Sequence, residues 1–210
     1  FISLLASVYL GGSNKFGGDL KGHRDNKCLI HFDTEQGKFH AQRVFRRVVD
    51  MNGGNDVGCY HTFGLRTVGF KHRVEFIEYY LKHKIEKDKV GLVVIDGIAD
   101  LVSDVNDLEQ SNNVVQKIME WSQKFSCHII TVIHSNFGSD KPTGHLGSLL
   151  EKKTETQIQL ETNTVNKDWI TVKCKRSRGY AFETFSFKVN DVGLPEIVGD
   201  LYNPLKGVSF

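Results

Sequence analysis

No stretch of this chain approaches the ~18 consecutive apolar residues that a membrane-spanning helix needs, and no secretory leader is visible at its start. The four cysteines, Cys28, Cys59, Cys127 and Cys174, include no C-x-x-C pair. That argues against a zinc site and leaves free thiols in a reducing, cytoplasmic setting as the simplest account. Neither sign of charge dominates: 27 Lys and Arg against 25 Asp and Glu leave a formal net charge of +2. A balanced total neither requires nor excludes a nucleic-acid partner, because a local basic stripe can hide inside it. There are no internal repeats and no low-complexity tracts.

What remains is the composition of an ordinary globular domain, 40% hydrophobic and 25% charged over 210 residues, enough for one sizeable α/β unit. Phe1 to Leu10 has the apolar density of a buried helix with no capping residue before it, which reads as a piece of a larger protein. Gly11-Gly12 ends that helix, and Ser13 to Lys27 is a polar loop. Cys28 to Asp33 is a strand, and Gln36 to Met51 is a helix with Ala41, Val44, Phe45 and Val48 on one stripe. A short strand is expected at Phe63 to Gly69 and a helix at Arg73 to Ile85. Val90 to Asp96 is a strand buried on both faces, followed by a helix from Leu108 to Phe125 and a second buried strand at Cys127 to His134. A short helix at Leu146 to Lys152 precedes three strands, Thr156–Glu161, Trp169–Cys174 and Phe182–Lys188. Strand–helix alternation up to residue 134 implies parallel β-α-β units, and the later strands an antiparallel extension. Residues 1–190 form the expected core and 191–210 an irregular tail.

The ends of these strands carry the chemistry. The first ends in Asp33-Thr34-Glu35, the second in Asp96, the third in His134-Ser135-Asn136, and a later one runs into Lys175-Arg176-Ser177-Arg178. Ligands bind at the carboxyl edge of open α/β sheets. Two acids, a histidine with an asparagine, and a group of cations are what phosphoryl transfer to water requires: one carboxylate to orient the water, one to hold magnesium, and cations to neutralise developing charge.

This arrangement resembles the RecA-like P-loop ATPase core, and most nearly the RepA-type hexameric helicases and the mobilisation or transposon-borne ATPases of bacterial mobile elements. Phe32-Asp33-Thr34-Glu35, Val93-Val94-Ile95-Asp96-Gly97, Ile133-His134-Ser135-Asn136, Gly144-His145-Leu146-Gly147-Ser148 and Lys173 to Gly179 carry the likeness, over residues 1 to 190. The resemblance implies ATP and Mg2+ as cofactors. Glu35 becomes the catalytic base and Asp96 the magnesium-holding aspartate, acting through water, with Asp33 beside it at the nucleotide. His134 and Asn136 become the phosphate sensor. Lys175, Arg176 and Arg178 become cations reaching a neighbouring subunit's nucleotide. A loop bearing Ser135, Lys141, Gly144 and His145 would face single-stranded DNA in a homo-oligomer, a hexamer in the family.

Two departures stand out. No G-x-x-x-x-G-K-[ST] phosphate loop occurs in these residues; in the family it immediately precedes the helix that Phe1 to Leu10 resembles, so the expectation is that it lies upstream. Phe137 stands where many such proteins carry a cation. Plainer readings stay open as well. Glu35 fits a helix first turn, His134 a strand end, the Lys175 to Arg178 cluster a solvated hairpin, and Gly144 to Gly147 a helix start. Asp100, Asp104 and Asp107 read as turn and cap residues rather than a calcium loop. The leading expectation is an ATP-hydrolysing, DNA-coupled domain. The alternatives are a non-hydrolysing DNA-binding or assembly module of the same fold and a related signalling or partitioning ATPase.

Overall fold

A computed structural model describes residues 1–11, 20–54, 57–136 and 138–198. Phe137 and the tail beyond 198 lie outside the described residues. Two four-stranded sheets organise the rest. The first is wholly parallel, in the order β2-β1-β3-β4, built from β1 (Cys28–Asp33), β2 (Tyr60–Gly64), β3 (Val90–Asp96) and β4 (His128–Val132). The second is antiparallel, in the order β5-β6-β7-β8, from β5 (Thr156–Thr162), β6 (Trp169–Ser177), β7 (Phe185–Val189) and β8 (Pro195–Val198).

The apolar run of β3 is explained by helices on both faces. One set of side chains, including Ile30, Phe32, Val93 and Ile95, packs with residues of α3 (Phe70–His83) and α4 (Leu108–Phe125). The alternate set, Leu29, Leu92 and Val94, packs with α1 (Ile2–Gly11) and Val48 of α2 (Lys38–Met51). A strand enclosed on both faces has no polar side to show, which is why its sequence does not alternate. α1 is apolar on more than one side. Ala6 and Leu10 face the first sheet, whereas Leu4 and Val8 pack against Val172, Phe185 and Phe187 of the second. α5 (Gly144–Lys153) lies against α4.

Three element expectations need correction. The second strand lies at Tyr60–Gly64, not Phe63–Gly69: its pairing with β1 starts at Leu29↔Tyr60, and the chain turns directly after Gly64, with the Val68 amide donating to the Leu65 carbonyl at 2.9 Å. Leu65 is buried and gave that turn the look of a strand. β6 runs on to Ser177, so Lys175 and Arg176 sit within a strand that pairs with β5 rather than after it. The tail expected to be irregular from residue 191 contains β8, which completes the second sheet beside β7.

Local contacts set two measurable effects. Asp107 caps α4: its Oδ1 accepts the Gln110 amide at 3.0 Å, and its Oδ2 accepts the Gln110 side chain at 2.8 Å. Asp107→Ala is expected to lower the melting temperature by roughly 2–4 °C, read by calorimetry. Glu78 on α3 pairs with Lys82 and, across to α4, with Lys117 at 2.7 Å. Those two ammonium groups pull its carboxyl from 4.5 down to about 2. A carboxyl depressed in the folded state contributes stability that is present above its ordinary value and is lost as pH falls through its folded value. Urea midpoints measured from pH 5 to pH 2 are therefore expected to fall less steeply for Glu78→Gln than for the wild type.

Candidate functional site

The site is assembled where β1 and β3 end side by side. Asp33 and Asp96 are register partners on these neighbouring parallel strands, so both carboxyl groups leave the sheet at the same edge. Thr34 fastens the two ends together. Its amide donates to the Asp96 carbonyl at 3.0 Å, and its hydroxyl donates to the Gly97 carbonyl at 2.7 Å. Gly97 adopts φ +102°, a left-handed turn that lets the chain leave β3 beneath Thr34.

Asp33 is fully buried and shapes the turn that presents Glu35: its Oδ1 accepts the Gln36 amide at 2.8 Å and the Glu35 amide at 3.2 Å. Burial pushes its carboxyl above the ordinary value, the Gln36 amide pulls it back, and the neighbouring Asp96 pushes it up again. Arg66 donates to the Glu35 carbonyl at 2.7 Å. Glu35 is thus held by its backbone while its carboxylate stays half exposed, 3.3 Å from Nε2 of His134. The sequence placed those two residues on different strand ends; the fold joins them. Asp96 is nearly covered, its side chain 16% exposed, and its Oδ2 lies 3.9 Å from Nε2 of His31.

Beyond His134 the chain makes a small closed loop. Ser135 bridges Pro142, the Asn136 amide donates to the Lys141 carbonyl at 2.9 Å, and the Thr143 amide returns to the His134 carbonyl at 3.1 Å. Ser135, Asn136, Lys141 and His145 are exposed on it. Gly144 has φ +69° and sits where a Cβ would come within 2.6 Å of the Val105 carbonyl, so its identity is demanded by close packing at the start of α5.

The basic group does not join the acids directly. Arg176 donates to the Glu151 carbonyl at 3.1 Å and Arg178 to the Lys152 carbonyl at 3.0 Å, both in the last turn of α5. Lys175 bonds the Asp140 carbonyl and pairs with Glu151 at 3.3 Å. Cations at a helix carboxyl end satisfy its free carbonyls and its dipole.

Sequence reasoning missed His31, Tyr60 and Thr34. A histidine inside the otherwise apolar run of β1 was the available signal. Among the described residues no three His, Cys, Asp or Glu side chains are grouped to hold a metal. A carboxylate pair at a sheet edge, without a cage, fits a cation held through water and ligand phosphates rather than by protein alone. The orphaned Oδ2 of buried Asp33 beside Asp96 is consistent with that fit.

Taken together, the parallel sheet, its flanking helices and the antiparallel sheet form an α/β fold of the RecA-like class. Among solved structures, the crystal structure of the RadB recombinase superposes with a TM-score of 0.57 at 17% identity, over 83% of this chain and 80% of that one. At that identity the likeness is one of fold. No protein-family model matches the chain, and no curated protein does. No helix among the described residues is long and apolar enough to cross a membrane.

Proposed function

We propose that this chain is the ATPase domain of a RecA-like, DNA-associated protein of the replication or mobilisation helicase type, coupling Mg-ATP hydrolysis to single-stranded DNA. The observation that supports it most is the meeting of Glu35 and His134 beside the Asp33–Asp96 strand ends. In this reading the Glu35 carboxylate accepts a proton from the attacking water. Asp96, with Asp33 behind it, orients the water shell of magnesium, which when bound neutralises phosphate charge. In the same reading His134, bonded to Glu35, reports on the γ-phosphate to Asn136 and to the segment of Ser135, Lys141, Gly144 and His145, which contacts DNA. Lys175, Arg176 and Arg178 serve a neighbouring subunit in a ring-shaped homo-oligomer; the α5 carbonyls of Glu151 and Lys152 hold the two arginines, and the Asp140 carbonyl and Glu151 carboxylate hold Lys175.

The second reading is a non-hydrolysing DNA-binding or assembly module of the same fold: a phosphate loop upstream of Phe1 in the full-length protein favours the ATPase, and a full-length protein without one favours the module. One experiment separates the two: ATP turnover by the full-length native protein, with and without single-stranded DNA. DNA-stimulated turnover supports the ATPase. DNA binding without turnover at any DNA concentration supports the module.

A further inference from the structure

Among the described residues, two buried side-chain polar atoms lack a hydrogen-bond partner: Nε2 of His31 and Oδ2 of Asp33. They stand two residues apart on the same face of β1, flanking Asp96 on β3. Both residues have no solvent exposure. Buried polar groups are rarely left unpaired, and those that are call for an explanation.

The protonation pattern of His31 follows from its neighbours. Nδ1 lies 3.1 Å from the Tyr60 hydroxyl. The Tyr60 hydroxyl can donate to an unprotonated Nδ1. A neutral imidazole that accepts at Nδ1 carries its proton on Nε2. The edge of the Phe45 ring, 5.0 Å away between centroids, fixes the plane of the imidazole. Nε2 lies 3.9 Å from Oδ2 of Asp96, so an imidazole that accepts from Tyr60 at Nδ1 presents its N–H to that carboxylate. That gap exceeds a direct hydrogen bond and is too narrow for a water between the two atoms.

We propose that His31 is a positioning residue for Asp96, with Tyr60 setting its tautomer, so that one oxygen of Asp96 is held by His31 and the other is left for the water shell of a divalent cation. This rests on the ATPase reading for its purpose, but the pairing itself does not. A protein group that orients a metal-holding carboxylate commonly shifts metal affinity by roughly 10- to 100-fold.

The test uses the full-length protein. Nitrogen-15 imidazole spectra are expected to show His31 as the Nε2–H tautomer. Asp96→Asn is expected to move its Nε2 resonance, and Tyr60→Phe its Nδ1 resonance, neither requiring nucleotide. In a second arm, the Mg2+ concentration that half-saturates binding of a fluorescent ATP analogue is expected to rise roughly tenfold in His31→Phe. It should return near the wild-type value in His31→Gln, whose amide keeps a donor. Unfolding midpoints of the variants check that each is folded. A His31 Nε2 signal indifferent to Asp96→Asn overturns the pairing, and equal behaviour of His31→Phe and His31→Gln overturns the positioning role. If the wild type binds the analogue without any magnesium dependence while the spectra behave as expected, the ATPase reading fails and the magnesium role of His31 falls with it, but the His31–Asp96 pair stands.

Discussion

Glu35→Gln in the full-length protein is expected to cut ATP turnover by roughly 10²- to 10⁴-fold, the ordinary contribution of a positioned general base. Nucleotide and DNA binding should remain. The geometry makes the substitution clean. Glu35 is placed by its backbone, through Asp33 on its amide and Arg66 on its carbonyl, and its carboxylate bonds His134. The amide has the size of the acid and can still bond the imidazole, but it cannot take a proton from water. Because the side chain is half exposed, the unfolding midpoint should stay within about 0.5 kcal/mol of wild type. Turnover in the variant within a fewfold of wild type would remove Glu35 from the chemistry and leave it an acid of the β1–α2 turn, paired with His134 but outside the first turn of α2.

Gly97→Val is expected to carry the largest stability cost, about 3 kcal/mol or more, measured by urea unfolding. Two penalties combine. A β-branched residue at φ +102° is held in the left-handed region, at roughly 1–2 kcal/mol. The added Cβ would also lie 2.6 Å from Oγ1 of Thr34 and 3.2 Å from Cβ of Glu35, and overfilling a packed site costs roughly 1–3 kcal/mol. Thr34 is the residue that ties β1 to β3, so the clash falls on the joint itself. Whatever fraction still folds should show Glu35 displaced from His134 and turnover reduced more than stability alone explains. A midpoint equal to wild type would mean that the β1–β3 junction is looser than its hydrogen bonds indicate.

How much of this was legible beforehand depended on whether a residue's role is local. β3 was readable because burial on both faces leaves an unbroken apolar run ending in a carboxylate. The cap at Asp107 was readable because a cap depends on its neighbours in sequence. The strand at Tyr60–Gly64 was not, since its residues, Tyr-His-Thr-Phe-Gly, carry polar groups whose partners lie elsewhere: His61 bonds Tyr80 at 2.8 Å and Tyr60 bonds His31. Lys175, Arg176 and Arg178 looked like a free cluster at a strand end because the groups that receive them, the α5 carbonyls for the two arginines and the Asp140 carbonyl for Lys175, are far away in sequence. β8 hid in a short segment, Pro-Glu-Ile-Val, with too few residues to show a period. The approach of His134 to Glu35, separated by 99 positions, is a product of strand order alone.

The double-sided packing of α1 bears on how the molecule comes into being. During synthesis α1 is made well before β6 and β7, yet the side chains that Leu4 and Val8 cover, Val172, Phe185 and Phe187, belong to those strands. One flank of the helix can settle on the parallel sheet early, against Leu29, Leu92 and Val94, while the other stays greasy and unclaimed until nearly the whole described chain has left the ribosome. Contacts so distant along the chain form slowly. The nascent domain therefore passes through a stage with an open apolar seam, the moment at which a chaperone or a sister chain could capture it.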